Sequence, residues 1–177
     1  MTEINELSLF TGVGGGLLAT RDLGWRCVGY VERDKYCQRV LAQRISDGHL
    51  DEAPIFGDID RFIESGDCEA FRGLVDVVTA GFPCPPFSCA GKREGASDDR
   101  DKWPQTLDAI RLVRPTHVLL ENVPGIAFSG YLSGVVGGLA TLGYVGSHVR
   151  LGAIDVGSQH IRRRIWLWAT MADPNSG

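Results

Sequence analysis

The sequence predicts an α/β fold, a mostly parallel sheet with helices on both faces, and three observations carry that reading. Apolar runs alternate with amphipathic stretches continuously to about residue 169. Two of those runs, Leu74 to Thr79 and His117 to Leu120, are apolar almost throughout, as strands covered on both sides are. No repeat, charge block or Gly/Ser linker divides the 177 residues, of which 44% are hydrophobic and 23% charged, so a single domain with a real core is expected.

Leu7-Ser8-Leu9-Phe10 ends in a cluster of glycines (Gly12, Gly14, Gly15, Gly16) before Leu17-Leu18-Ala19, the pattern of strand, tight loop and helix. Cys27 to Val31 reads as the second strand. Asp34 then stands where it can cap a helix with Cys37, Val40, Leu41 and Ile45 at helical spacing. Ile55-Phe56 is a short third strand ending at Gly57-Asp58. The fourth, Leu74 to Thr79, runs into Gly81-Phe82-Pro83-Cys84-Pro85-Pro86, where two consecutive prolines forbid continuation. Residues 88–102 are polar and long for a loop. Pro104 suits the first turn of a helix with Leu107, Ile110 and Val113 on one face, ended by Pro115. The fifth strand, His117 to Leu120, ends at Glu121-Asn122. A stripe of Leu132, Val135, Val136, Leu139 and Leu142, closed by Gly143, precedes strands near Val145–Leu151 and Ile165–Ala169.

Composition excludes several classes. The net charge of −4 is not that of a general polyanion binder, so any nucleic acid must be met locally. The stretch from Arg150 to Arg164, four arginines against one aspartate, is the one such local patch. No window has the roughly 18 apolar residues of a membrane span, and the N-terminus lacks the basic start of a signal peptide, so a cytoplasmic protein is expected. Five cysteines without paired CxxC spacing indicate neither a disulfide framework nor a zinc knuckle, and no metal is expected.

Ligands of open α/β sheets bind outside the carboxyl ends of the strands, so the residues just after each strand carry the chemistry. Here they are the glycine loop, Glu32, Asp58, Pro83-Cys84 and Glu121-Asn122. The loop lacks the third glycine of a dinucleotide fingerprint and the Lys-Ser/Thr of a P-loop, and alone it fits a tight turn equally well. Glu32 lies 20 residues beyond Gly12, the distance at which an acid meets ribose hydroxyls in nucleotide-binding βαβ units. Cys27, Cys37 and Cys68 read as small buried hydrophobes. Cys84 differs, because it leaves a buried strand between prolines at the ligand-binding edge, where a rigid thiol suits nucleophilic catalysis. Glu121 could place a carboxyl beside it.

These residues resemble the DNA cytosine-5 methyltransferases. The matching blocks are Phe10-Thr11-Gly12-Val13-Gly14-Gly15, Glu32-Arg33-Asp34, Gly57-Asp58-Ile59, Gly81 to Ser88, Glu121-Asn122-Val123 and His160 to Arg164, in the family's order across residues 7–170. The resemblance implies a class I, Rossmann-like fold binding S-adenosyl-L-methionine, with a catalytic domain over 1–170 and a tail over 171–177. It implies cofactor contacts from Phe10, Thr11, Gly12, Gly14, Gly15, Glu32 (ribose), Arg33 (adenine), Asp58 (adenine amino group), Ile59 and Pro83. It implies Cys84 as the nucleophile toward ring carbon 6 of a flipped-out cytosine, Glu121 on ring nitrogen 3, Arg162 on the cytosine carbonyl and Arg164 organising the site. Both arginines are expected to face the pocket, with Arg163 turned away. Substrate contacts are implied for Ser88, Lys92, Arg100 and Asn122, and the partner is double-stranded DNA.

Pro85 departs from the family's usual Gln, Ser8 from a common Asp, and His160 from another Gln. The family's target-recognition region would follow residue 170, so a truncated chain or one half of a split enzyme, from a bacterium, archaeon or phage and completed by a second chain, is expected. A catalytically silent binding module and an RNA cytosine-5 methyltransferase are the alternatives.

Overall fold

The computed structural model describes residues 3–84, 101–127 and 130–173. Among these residues seven strands form one sheet: β1 (Ile4–Leu9), β2 (Trp25–Val31), β3 (Ile55–Phe56), β4 (Val77–Ala80), β5 (His117–Asn122), β6 (Tyr144–Gly152) and β7 (Arg163–Met171). Their order is β3-β2-β1-β4-β5-β7-β6. The first five run parallel, and β7 is inserted antiparallel between β5 and β6. Strand order reverses between β1 and β4, which opens a crevice at their carboxyl ends.

Among the described residues five α-helices connect the strands: α1 (Gly15–Asp22), α2 (Lys35–Ser46), α3 (Ile59–Glu64), α4 (Trp103–Val113) and α5 (Tyr131–Thr141). Asp34 caps α2, its carboxylate accepting from the Cys37 N–H at 2.9 Å, and Asp58 caps α3 through the Asp60 N–H at 2.9 Å. Pro104 sits in the first turn of α4, which stops at Arg114 (φ 52), the residue before Pro115.

Val31 packs into a large core with Leu7, Leu9, Val78, Ile110, Val118, Leu139, Ile165 and Leu167. Its neighbour Tyr30 packs into a smaller one with Leu17, Cys27, Leu41 and Leu50. Adjacent strand residues point to opposite faces, so the two cores lie on opposite sides of the sheet, as expected for helices on both faces. Coverage is uneven on β7, where Ile165, Leu167 and Ala169 are buried while Trp166 and Trp168 on the other face are each 37% exposed.

Some boundaries differ from the sequence reading. The fourth strand begins at Val77 rather than Leu74, because Gly73 (φ 77) makes a turn closed by the Leu74 N–H on the Phe71 carbonyl. Phe10 ends β1 with a φ of 53 instead of extending it. Cys37 is only half-buried, and of the apolar positions expected on α2 only Leu41 is fully covered. Among the described residues no helix is long and apolar enough to cross a membrane.

Candidate active site

The carboxyl ends of β1, β2, β3 and β4 enclose a cleft of about 660 Å³, a size suited to a small-molecule ligand. Phe10, Val31, Ile59 and Pro83 supply apolar wall; Glu32, Arg33, Asp34, Lys35, Asp58 and Lys102 supply charge. Phe10 reaches the wall from a backbone conformation that bulky residues rarely adopt, a kind of strain that concentrates at functional sites. Glu32 is held at both oxygens: the Gly12 N–H donates to Oε2 and the Asp34 N–H to Oε1, each at 2.7 Å. The acid and glycine loop paired by spacing in the sequence are thus joined directly.

Other parts of the glycine loop serve the scaffold. The Thr11 hydroxyl donates to the Ser8 carbonyl at 3.0 Å, and its N–H to the Val31 carbonyl at 3.1 Å. Gly14 (φ 82) caps α1, and a Cβ there would lie 3.0 Å from Leu41 and 3.1 Å from Leu50. Gly15 has open space where a Cβ would stand. The six expected cofactor contacts that line the cleft are therefore Phe10, Glu32, Arg33, Asp58, Ile59 and Pro83. Thr11, Gly12, Gly14 and Gly15 form its supporting turn.

Cys84 lies beside this cleft, just past Pro83. Its thiol donates to Oδ1 of Asn122 at 3.0 Å. Asn122 is 6% exposed; it also donates from Nδ2 to the Phe82 carbonyl at 3.0 Å and accepts from the Val123 N–H at 2.8 Å. The substrate contact expected of Asn122 is thus set against a side chain turned into the protein, where it ties the end of β5 to the Cys84 turn. Burial pushes the Cys84 thiol above its ordinary pKa, and the negative charge of Asp101 acts in the same direction.

Glu121 precedes Asn122 at the end of β5, with Oε2 3.3 Å from where a Cβ on Gly81 would stand, so glycine makes room for it. Its Oε1 pairs with Arg164 Nε at 2.6 Å. Pairing with β5 explains the geometry: Glu121 stands opposite Trp166, which places Arg164 two residues away on the same face. Arg162 lies at the entry to β7, one residue before the strand begins at Arg163. Its side chain is exposed, and its carbonyl accepts from the Ala153 N–H at 3.4 Å. Arg163 is exposed as well. Ser88, Lys92 and Arg100 lie outside the described residues.

Sequence reasoning missed Lys102, Asp101 and Tyr131. The Lys102 N–H donates to the Pro83 carbonyl at 3.1 Å, and its ammonium pairs with Asp60 at 3.1 Å on the cleft wall. Asp101 is buried, accepting from the Trp103 N–H at 3.0 Å and from the Tyr131 hydroxyl. The sequence signal for Asp101 and Lys102 is position, directly before the Trp103-Pro104 helix start; Tyr131 opens α5 and carries no such signal.

The sequence profile of the C-5 cytosine-specific DNA methylases matches residues 4–176. The chain belongs to the C-5 cytosine-specific DNA methylase family. It is 31% identical to the type II methyltransferase M.NgoMIV of Neisseria gonorrhoeae over 166 residues, covering 92% of this chain and 50% of that protein. It is 33% identical to M.HhaI of Haemophilus parahaemolyticus over 181 residues, covering 99% and 51%. The chain therefore spans about half the length of these relatives. Solved structures of the Dnmt2 proteins of Spodoptera frugiperda and S. pombe share the fold, with TM-scores of 0.76 and 0.75 at 20% and 18% identity. They cover 98% and 99% of this chain and 51% and 52% of theirs. Among the described residues no group of three or more His, Cys, Asp or Glu side chains could hold a metal ion.

Proposed function

We propose that residues 1–170 form the catalytic domain of a DNA cytosine-5 methyltransferase that uses S-adenosyl-L-methionine, with double-stranded DNA as substrate and target recognition supplied by polypeptide outside this chain. The single observation that carries the reading is the convergence of Cys84, Glu121, Asn122 and Arg164 beside a cleft edged by Glu32 and Asp58. The cleft's residues fit the cofactor. Apolar walls suit a nucleoside, Glu32 keeps both oxygens fixed by backbone donors at the edge where ribose hydroxyls would be met, and Asp58 offers a carboxylate to an amino group. Phe10, Ile59, Arg33 and Pro83 would hold the rest of it. When bound, it supplies an electrophilic methyl group.

The chain's own residues then prepare the base. Cytosine carbon 5 is a weak nucleophile, and addition of the Cys84 sulfur, as thiolate, to carbon 6 pushes electron density onto carbon 5. Glu121, oriented by Arg164, carries the proton at this step: its carboxyl donates to ring nitrogen 3, stabilising the charge that develops there, and takes the proton back when the ring is restored. Asn122 fixes the direction of the sulfur. After methylation, loss of the carbon-5 proton and expulsion of the Cys84 sulfur restore the ring and the enzyme. Because these ring atoms are covered in a stacked duplex, the base must leave the helix to reach Cys84.

The test is covalent trapping. A duplex bearing 5-fluorocytosine, with S-adenosyl-L-methionine, gives an adduct that survives denaturation and disappears in Cys84→Ser. Because target recognition is assigned to another polypeptide, the assay is run with the chain alone and with a recognition part grafted from a relative. Adduct formation with an RNA substrate alone, or with none in either form, refutes the reading.

A further inference from the structure

The reaction just proposed leaves one buried charge beside the nucleophile unused. Asp101 is 9% exposed, yet its carboxylate is not part of the Glu121–Arg164 pair. It is fixed from two helices, accepting from the Trp103 N–H that opens α4 and from the hydroxyl of Tyr131 that opens α5. The next residue, Lys102, donates its N–H to the carbonyl of Pro83, the residue before Cys84, so the chain at Asp101 is stitched alongside the Cys84 turn. Cys84, Trp103 and Tyr131 all pack against the same core, and the Trp103 ring lies 5.4 Å from Phe82.

We propose that Asp101, oriented by Tyr131, is a positioning residue whose fixed negative charge adds to burial in holding the neighbouring Cys84 sulfur as a thiol in the free protein. The inference rests on the reading of Cys84 as the nucleophile, and it gives that nucleophile an electrostatic guard against alkylation and oxidation until substrate changes its surroundings. Among the described residues the groups that face Cys84 are Asp101 before α4, Tyr131 on α5, and Glu121 and Asn122 on β5. The Glu121 charge is offset by Arg164 of β7 at 2.6 Å, and the Lys102 ammonium is taken by Asp60. Among the described residues Asp101 is therefore the acid near the sulfur whose partners are neutral donors, and after burial itself its charge bears most on the thiol. In low-dielectric surroundings a like charge of this kind disfavours the thiolate.

The experiment is peptide-resolved alkylation of the whole chain by iodoacetamide across pH, without DNA or methyl donor, with Cys37 on α2 as internal reference. Asp101→Asn keeps the side chain's size and an acceptor oxygen but removes the charge. It should move the Cys84 midpoint down by on the order of one pH unit, about tenfold more thiolate at a given pH below it, and leave Cys37 unchanged. Tyr131→Phe removes a neutral donor that screens the carboxylate and should move the midpoint up. The opposite signs matter, because simple loosening would hydrate the sulfur and move it down in both variants. An unmoved midpoint in folded Asp101→Asn, or a downward shift in both, overturns the proposal. If Asp101→Asn does not fold, Tyr131→Phe decides: up supports, unmoved or down refutes. The readout needs no turnover, so a failure of methyl transfer and a failure of this inference are separate results.

Discussion

Arg164 Nε lies 2.6 Å from Glu121 Oε1, joining the antiparallel strand β7 to the parallel strand β5 at the mouth of the site. The pair is partly solvated, so it adds at most about 1 kcal/mol to stability; its use is to point the carboxyl. Arg164→Ala should leave thermal stability nearly unchanged while slowing adduct formation with 5-fluorocytosine DNA on the order of tenfold or more, in the range of a lost positioning contact. Arg164→Lys keeps the charge but not the planar geometry and should fall between. An Arg164→Ala adduct rate equal to the parent's would remove Glu121 orientation from the mechanism.

Asn122 makes a different prediction, because its buried side chain ties Cys84, Phe82 and Val123 together through three hydrogen bonds. Asn122→Ala leaves the Phe82 carbonyl and the Val123 N–H without their partner, at a cost of roughly 1–3 kcal/mol for a buried group left unsatisfied. It should lower Tm and kcat while KM for DNA stays close to the parent's. A large rise in KM with kcat preserved would return Asn122 to the substrate contacts.

Why some of this was legible in the sequence and some was not follows from how the residues reach the site. Glu32 directly follows β2, Asp58 and Cys84 come shortly after β3 and β4, and Glu121 lies at the end of β5, so the strand pattern puts all of them at one edge of the sheet. The blocks that resemble the methyltransferases fall at those same strand ends, which is why fold and family were readable together. Arg162 stands one residue before the strand that carries Arg164, so strand alternation alone does not aim the two together. Asp101, Lys102 and Tyr131 come to Cys84 through the return of the chain and the docking of α4 against α5, contacts that no local pattern encodes. Gly14 shows a converse limit, since a glycine needed for a ligand and one needed for packing look alike in a sequence.

Gly14 can be separated from its neighbours on that basis. An alanine there must take a φ near 82 and push Leu41 Cδ2 from 3.0 Å, so Gly14→Ala should cost about 1–3 kcal/mol. The loss belongs to the core beneath α1 and α2. In calorimetry at a temperature where the variant is still folded, affinity for S-adenosyl-L-methionine should match the parent's. Gly15→Ala, into open space, should be mild in Tm. A Gly14→Ala variant that keeps its Tm and loses cofactor affinity would make Gly14 a ligand contact instead.

Glu6 offers a pH test of the fold that is independent of the site. It is 2% exposed in the middle of β1, and the Thr79 hydroxyl donates to its Oε1 at 2.5 Å. Desolvation raises its pKa above the ordinary carboxyl value, outweighing the hydrogen bonds from Thr20 and Thr79 that pull the other way. The fold therefore prefers the protonated acid. The sign follows from linkage: a folded-state pKa above the unfolded one gives a stabilising contribution that is complete below the unfolded pKa and fades as pH rises through the raised value. Glu6→Gln keeps an acceptor oxygen for Thr79 and cannot ionise. Its Tm relative to the parent should accordingly increase as pH rises from about 4 to about 9, with the parent equal or better at the acid end. Two melting curves that stay parallel across that range would mean that Glu6 is not the group whose ionisation burial opposes.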